Sequence, residues 1–406
     1  MKSKIMKNNE IKGKGQGTKA VWGGQADLFY KGATQVPIVN SVTFGYDNVD
    51  DWFDVAIGKK EGHIYSRNTN PTVAVFEEKV RILENAEAAT SFSTGMAAIS
   101  NSLSTFLSQG DRVVSIKDTY GGTSIVFLEF LPKYGIEVTL CDTENHDEIE
   151  DEVKKGCKIL YLETPTNPTL KILDLKRLIK CAHEVGALVM VDNTFATPIN
   201  QSPLALGADI VLHSATKYLG GHSDAMGGVA CGSKELIQQI FHYREINGAS
   251  LHANTAYMLL RGIQTLELRV LRQNENAMKL SEHLEKHAKI EHVFYPGLKS
   301  HPGHAIASEQ MSGFGGVLSF SIKGDFQNVK TFLNNLELAH LAASLGSVST
   351  LIGPPKVTSH VEASEAERKR LGIPETLIRC AVGIENIEDI MADFDQALSK
   401  IVHQTT

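Results

Sequence analysis

Apolar and polar positions alternate between two periods along the middle of the chain. Short apolar runs rich in β-branched residues, Val113–Ile116, Val138–Cys141, Ile159–Leu162, Leu188–Val191 and Ile210–Leu212, read as buried strands. Helical patterns lie between them, one over Thr123–Tyr134 and one over Leu175–Val185 that Gly186 ends. Strand–helix–strand alternation at this spacing predicts an α/β fold, a mostly parallel sheet with helices on both faces. After about residue 265 the pattern changes. A long amphipathic helix over Leu266–His287 precedes a stretch with Pro296, Gly297, Pro302 and Gly303, then an alternating strand over Gly316–Ile322 and a helix over Asn328–Leu336. This predicts a smaller α+β domain. Residues before about 65 hold no complete strand–helix unit and read as an extended arm. The expected division is an arm over 1–65, an α/β domain over 66–265 and a C-terminal domain over 266–406, with no fixed-period repeat.

Composition narrows the class of function. The 406 residues are 42% hydrophobic and 21% charged, enough for a large core. A formal net charge of −7 supplies no global basic field for nucleic acid. The basic run Lys2, Lys4, Lys7, Lys12 and Lys14 sits in a polar, Gly-containing stretch and reads as a solvated tail. No apolar run of secretory type opens the chain, and no stretch of about 18 apolar residues predicts a membrane span. Cys141, Cys157, Cys181, Cys231 and Cys380 are scattered, without Cys-x-x-Cys spacing. A cytoplasmic location is the expectation, with neither a disulfide framework nor a zinc site.

Ligands of open α/β sheets bind beyond the carboxyl ends of the strands. The segments just past the expected strands are Asp118-Thr119-Tyr120, Glu163-Thr164-Pro165-Thr166-Asn167, Asp192, and His213-Ser214-Ala215-Thr216-Lys217, so polar groups converge on one rim. Lys217 is flanked by two short hydroxyls suited to phosphate and followed by Gly220 and Gly221, which admit close backbone approach. A desolvated lysine there can form an imine; a surface lysine is the bland alternative. Asp192 is a turn cap in the bland reading. Paired with Lys217 it could keep a pyridine nitrogen protonated, making the ring an electron sink. Ser93 to Ala98, with Gly95 and Met96, opens a helix and could offer phosphate its backbone donors. Tyr120 in Tyr-Gly-Gly-Thr could lie over a flat ligand or act as acid or base. Arg379, inside the apolar run Leu377–Val382, needs a partner, either a substrate carboxylate or a structural acid. No Walker-type or Gly-x-Gly-x-x-Gly loop comes after a strand, which disfavours nucleotides. His301 and His304 are three apart, but Pro302 and Gly303 put them in a loop without an evident third metal ligand.

These residues fall into motifs. Tyr65-Ser66-Arg67 precedes Asn70-Pro71-Thr72. Then come Thr94-Gly95-Met96, Tyr120-Gly121-Gly122-Thr123, Glu163-Thr164-Pro165-Thr166-Asn167-Pro168, Val191-Asp192-Asn193-Thr194 and Ser214-Ala215-Thr216-Lys217-Tyr218. In this order they resemble the Cys/Met-metabolism PLP-dependent enzymes over roughly residues 18–402. That family includes cystathionine γ-synthase, cystathionine γ- and β-lyases, methionine γ-lyase and O-acylhomoserine sulfhydrylases. The resemblance implies fold type I of the PLP-dependent transferases and pyridoxal 5'-phosphate (PLP) as cofactor. It implies that Lys217 forms the Schiff base, Asp192 pairs with the pyridine nitrogen and Tyr120 stacks on the ring. Gly95, Met96, Ser214 and Thr216 would hold the phosphate, and Asn167, Ser344 and Arg379 the substrate carboxylate or the neighbouring cofactor oxygen. Tyr65 and Arg67 would reach a neighbouring subunit's phosphate, within a homotetramer built as a dimer of dimers.

Several positions bear on which member this is. Ile64 and Ala343 stand where members that handle cystathionine often carry acidic residues, and Ile125 follows Ser124 where polar residues are common. An apolar rim suits methionine's tail better than a second zwitterion. Gly122 stands where methionine γ-lyase typically has cysteine, and Thr94 where serine is usual. Ser347, Val348 and Ser349, with Thr358-Ser359-His360, also depart from the commoner pattern. The expectation is a C–S lyase acting on methionine or cystathionine through an external aldimine, giving a 2-oxo acid, ammonia and a thiol. A γ-replacement enzyme joining an acylhomoserine to a thiol is the runner-up. A non-catalytic PLP-fold binding protein is a third reading, and it has no need of Lys217, Asp192, Tyr120 and Arg379 together.

Overall fold

The computed structural model describes residues 11, 13–24, 33–358 and 365–401. Lys2, Lys4, Lys7, Lys12, Ser359 and His360 lie outside them. Twelve strands occur among the described residues. They are β1 (Ala88–Phe92), β2 (Arg112–Ile116), β3 (Glu137–Cys141), β4 (Ile159–Glu163), β5 (Leu188–Asp192), β6 (Ile210–Ser214) and β7 (Gly228–Gly232). The rest are β8 (Ile290–Phe294), β9 (Val317–Ile322), β10 (His340–Leu341), β11 (Leu351–Gly353) and β12 (Leu377–Ala381). The chain groups into two compact units, each made of two stretches: residues 1–106 with 209–266, and 107–208 with 267–406.

In the first unit, β7 pairs antiparallel with β1 on one side and β6 on the other. Helix Pro71–Glu84 shows why its residues fold locally. Asn70 caps it by accepting from Thr72 N at 2.9 Å, Pro71 fills the first turn, and Asn85 ends it at φ 55°. Such a cap is worth ~1 kcal/mol. The arm is not wholly extended. Helix Gln16–Trp22 is latched to helix Pro71–Glu84, and Val49–Ala56 forms a second helix with no buried residue. Lys79 is buried and donates to Ala20 O at 2.8 Å and Val21 O at 2.9 Å, and Lys19 donates to Asn85 Oδ1 at 2.9 Å. Thr43 and Tyr65 form an isolated bridge.

In the second unit, β5, β4, β2 and β3 lie side by side, all parallel. Every residue of β4 is buried, as a strand covered on both faces must be. Helices His146–Lys154 and Leu175–Glu184 bury Ile149, Val153, Leu175 and Leu178 against these strands. Asp174 caps the latter helix by accepting from Arg177 N at 3.0 Å. The segment read as one helix over Thr123–Tyr134 is broken. A short α-turn over Gly121–Ile125 gives way to a π-helical turn over Val126–Phe130 and a last turn from Leu131. Pro132 offers no backbone N–H there, so regular pairing cannot continue through it.

The same unit carries a second sheet, ordered β10-β11-β12-β9-β8, whose pairs are antiparallel except β10–β11. The alternation read over Gly316–Ile322 does not mark a half-exposed strand, because all six residues of β9 are buried. Its serines are enclosed: Ser319 Oγ donates to Pro168 O at 2.6 Å. Helices Leu266–Glu285, Phe326–Asn334 and Ile387–Ser399 accompany this sheet, and Phe320, Phe332 and Phe394 pack ring to ring at centroid distances of 5.4–6.0 Å. Removing one such ring costs ~3–5 kcal/mol.

Candidate active site

Six of the expected site residues lie in the first unit around the ends of β6 and of helix Gly95–Phe106, or on the arm; Lys217 completes the set. Thr94 Oγ1 accepts from Ala97 N at 3.0 Å and so caps the helix that Gly95 begins. A Cβ at position 95 would meet Ser214 Cβ at 2.7 Å and its Oγ at 2.8 Å, so only glycine lets this helix start against the end of β6. Ser214 is thereby set beside the N-terminal N–H groups of the helix, with Met96 half-buried next in line. Thr216 Oγ1 accepts from Gly227 N at 3.1 Å, and Gly220 N bonds Ala215 O at 2.8 Å, winding the chain into a tight turn. Lys217 sits in this turn, half-buried, its N–H on Ser214 O at 3.2 Å and its carbonyl accepting from Gly221 N at 2.8 Å. Backbone donors, two hydroxyls and a lysine amine on one turn fit a phosphate-bearing aldehyde.

Tyr65 and Arg67 lie on the arm, both exposed. The Arg67 guanidinium stands 5.8 Å from the centre of the Tyr65 ring and also bonds Glu245 O.

Asp192, Tyr120, Asn167, Ser344 and Arg379 belong to the second unit. Parallel pairing puts Glu163, the last residue of β4, directly beside Asp192, the last of β5. Asp192 Oδ1 accepts from Thr194 N at 3.0 Å, the turn-capping role of the bland reading. Its Oδ2 lies 3.5 Å from the Tyr161 hydroxyl, a long contact. Burial, followed by the charges of Asp192 and Glu163, raises the Tyr161 phenol well above its ordinary pKa. Burial, then Asp192's charge, likewise pushes Glu163 well above the usual carboxylate range, against the Tyr120 N–H that favours its anion. A buried carboxylate at the carboxyl end of a strand suits a protonated ring nitrogen.

Tyr120 comes just after β2, the residue 46% exposed and its N–H on Glu163 Oε2 at 2.8 Å. Arg379 is buried on β12 and donates from Nη1 to Asn167 Oδ1 and from Nη2 to Ser344 O, both at 2.9 Å. The structure therefore brings Arg379, Asn167 and Ser344 together. Ser344 itself has φ 87°, a conformation that turns its carbonyl toward the guanidinium at a cost of order 1–3 kcal/mol. The loop bearing it is tied by Gln273 Nε2 to Ser347 O at 2.8 Å and by Thr350 N to Glu385 Oε1 at 2.6 Å. Both are partners that sequence reading missed, since they lie 74 and 35 residues away.

The two histidines considered for a metal serve local bonds. His301 Nδ1 accepts from Gly303 N at 3.1 Å and His304 Nδ1 lies 2.8 Å from Pro296 O. Among the described residues no helix is long and apolar enough to cross a membrane.

Residues 17–399 match the family model described as Cys/Met metabolism PLP-dependent enzyme. The chain is 47% identical over 395 residues to an L-methionine gamma-lyase of Fusobacterium nucleatum subsp. polymorphum, covering 97% of this chain and all of that one. A cystathionine gamma-lyase of Bacillus subtilis is 45% identical over 371 residues, 91% of this chain and 95% of its own. Among solved structures, cystathionine gamma synthase from Xanthomonas oryzae pv. oryzae in complex with cystathionine matches with a TM-score of 0.91 at 37% identity, covering 95% of this chain and 98% of that one. The architecture is that of fold type I, a large mixed α/β domain with a smaller C-terminal domain.

Proposed function

Because this chain belongs to the Cys/Met-metabolism PLP-dependent enzymes, which bind PLP and make or break C–S bonds of sulfur amino acids, we propose that it is a C–S lyase. It eliminates a thiol from methionine or cystathionine and, with one water, releases a 2-oxo acid and ammonia. The observation that carries this reading is the pair Ile64 and Ala343. They leave the expected tail-binding positions without a charge for a distal amino acid end, which suits methionine's short apolar tail. The full-length likeness to a methionine lyase supports the same choice.

When bound, PLP supplies an electron sink for the charge left by removal of the α-proton. The remaining work falls to this chain's side chains. Lys217 Nζ would hold the cofactor covalently and, once freed, take the α-proton. Gly95, Met96, Ser214 and Thr216 would hold the phosphate, and Asp192 the ring nitrogen. Tyr120 would stack on the ring, and its hydroxyl would protonate the departing thiol. Arg379, preset by Asn167 and Ser344, would clamp the substrate carboxylate. Tyr65 and Arg67 would complete the phosphate site of a neighbouring subunit in a homotetramer.

Purified holoenzyme mixed separately with L-methionine, L-cystathionine, and O-acetylhomoserine plus sulfide tests the reading. Production of 2-oxobutyrate and thiol from methionine, absent in Lys217→Ala, is expected. Turnover confined to acylhomoserine and sulfide would make it a replacement enzyme instead.

A further inference from the structure

Glu163 has no part in the reaction as assigned above, yet it is 3% exposed at the very rim where Asp192 and Tyr120 stand. Burying a carboxyl is costly unless it is used. Tyr120 holds the N-terminal position of the turn Gly121–Ile125 and has no side-chain oxygen placed to cap it. Two glycines come next, so the turn has little stiffness of its own. Its own closures are Ser124 N on Tyr120 O at 2.9 Å and the Thr119 and Ser124 hydroxyls at 2.8 Å. Neither ties Tyr120 to the sheet. Glu163 does, because its Oε2 accepts the Tyr120 N–H at 2.8 Å while its backbone is paired in register with Asp192.

We propose that Glu163 is a positioning residue that fixes the Tyr120 turn against the end of β4, beside its paired neighbour Asp192 on β5, and so sets where the phenol stands relative to that carboxylate. The proposal rests on the roles given to Tyr120 and Asp192 above and deepens them. The charged groups acting on Glu163 are Asp192 from β5 and Asp118 from the segment after β2, with the Tyr161 phenol on its own strand nearby. Asp118 is itself answered by Lys171 Nζ at 3.2 Å. With two acids on this side and burial besides, the charged form of Glu163 is disfavoured. What the Tyr120 N–H takes from it is an acceptor oxygen, which a neutral group supplies as well as a charged one. A neutral acceptor of the same shape should therefore replace it, and an apolar group of the same size should not.

The test compares Glu163→Gln and Glu163→Leu holoenzymes by visible circular dichroism of the bound cofactor, cofactor release rate, kcat, KM and melting temperature. Glu163→Leu is expected to shift the dichroic band, speed cofactor release and lower kcat about ten- to a hundredfold with a much smaller change in KM, the pattern of misplacement rather than lost binding. Glu163→Gln is expected to keep the band and to hold kcat within about threefold of wild type. A wild-type band and kcat in Glu163→Leu would overturn the proposal. So would a Glu163→Gln enzyme as impaired as Glu163→Leu, since the group would then act through its charge. Should Glu163→Leu not fold, Glu163→Asp, too short by one methylene to reach the Tyr120 N–H, replaces it with the same expectation. Tyr120→Ala separates the two levels of argument. If it leaves the band unmoved, the stacking role of Tyr120 has failed; if it moves the band and Glu163→Leu does not, this inference alone has failed.

Discussion

Arg379 shows how a single residue can be both legible and incomplete in sequence. An arginine within Leu377–Ala381 had to have partners, and its position in an apolar strand announced that need. The strand alone did not name them; only the family resemblance grouped Asn167 and Ser344 with Arg379. They are a side-chain amide 212 residues away and a carbonyl 35 residues away, both neutral acceptors. Two acceptors at fixed angles orient a guanidinium plane, which a lysine ammonium cannot reproduce. Arg379→Lys is accordingly expected to raise KM for the amino-acid substrate about ten- to a hundredfold while kcat falls much less, as loss of a charged bidentate contact predicts. Steady-state kinetics check this, and an unchanged KM would remove Arg379 from the carboxylate clamp. The rest of the rim obeys the same rule. Residues adjacent in sequence, such as Ser214, Thr216 and Lys217, could be grouped by inspection. The approach of Gly95 to Ser214 and of Glu163 to Tyr120 N–H depends on strand pairing that no local pattern encodes.

At the scale of elements, the runs with strong periodicity became elements within a residue or two, because buried parallel strands need unbroken apolar stretches. Five strands went unread, β1, β7, β8, β10 and β11, and the first two show why. β1 reads Ala-Ala-Thr-Ser-Phe, and its Ser91 is satisfied by Glu77 Oε1 at 2.8 Å, a partner on another element. β7 begins and ends in glycine, and its residues are small enough to look like a turn. The latch of helix Gln16–Trp22 was also invisible, since it rests on a lysine that composition would place in solvent. Burial brings Lys79 down to about 7. In that state its amine has two hydrogens for the two carbonyls it meets, Ala20 O and Val21 O. The unfolded chain holds the same proton up to about 10.4. Between those values the unfolded state binds more protons, so this group's contribution makes stability rise with pH; below about 7 both states are protonated and the dependence ends. The stability of wild type relative to Lys79→Met should therefore increase from pH 7 to pH 9 by about 1 kcal/mol per pH unit. Melting curves of the two proteins that run parallel over that range would refute the account.

At the scale of the whole molecule, the arm carries an exposed apolar face. Helix Val49–Ala56 buries nothing and turns Val49, Trp52 and Phe53 outward, with Ile57 just beyond its end. These positions recur at helical spacing, so they form one apolar face rather than scattered exposure. Apolar surface of that kind marks contact with another molecule. Tyr65 and Arg67 come later on the same segment, also exposed, and nothing in the role proposed for them requires the phosphate to be their own chain's. In a two-fold dimer the same surface serves both subunits, so an arm that completes its neighbour's site is completed in return. This has an arithmetic consequence for hybrids of Lys217→Ala and Arg67→Ala subunits, each inactive or nearly so alone. If Arg67 acts across the interface, one site of the hybrid collects both defects and the other collects neither. Differently tagged subunits, co-expressed and purified through both tags, should then recover about half of wild-type turnover per dimer. If Arg67 serves its own chain, every site keeps one defect and the hybrid stays at the level of its parents.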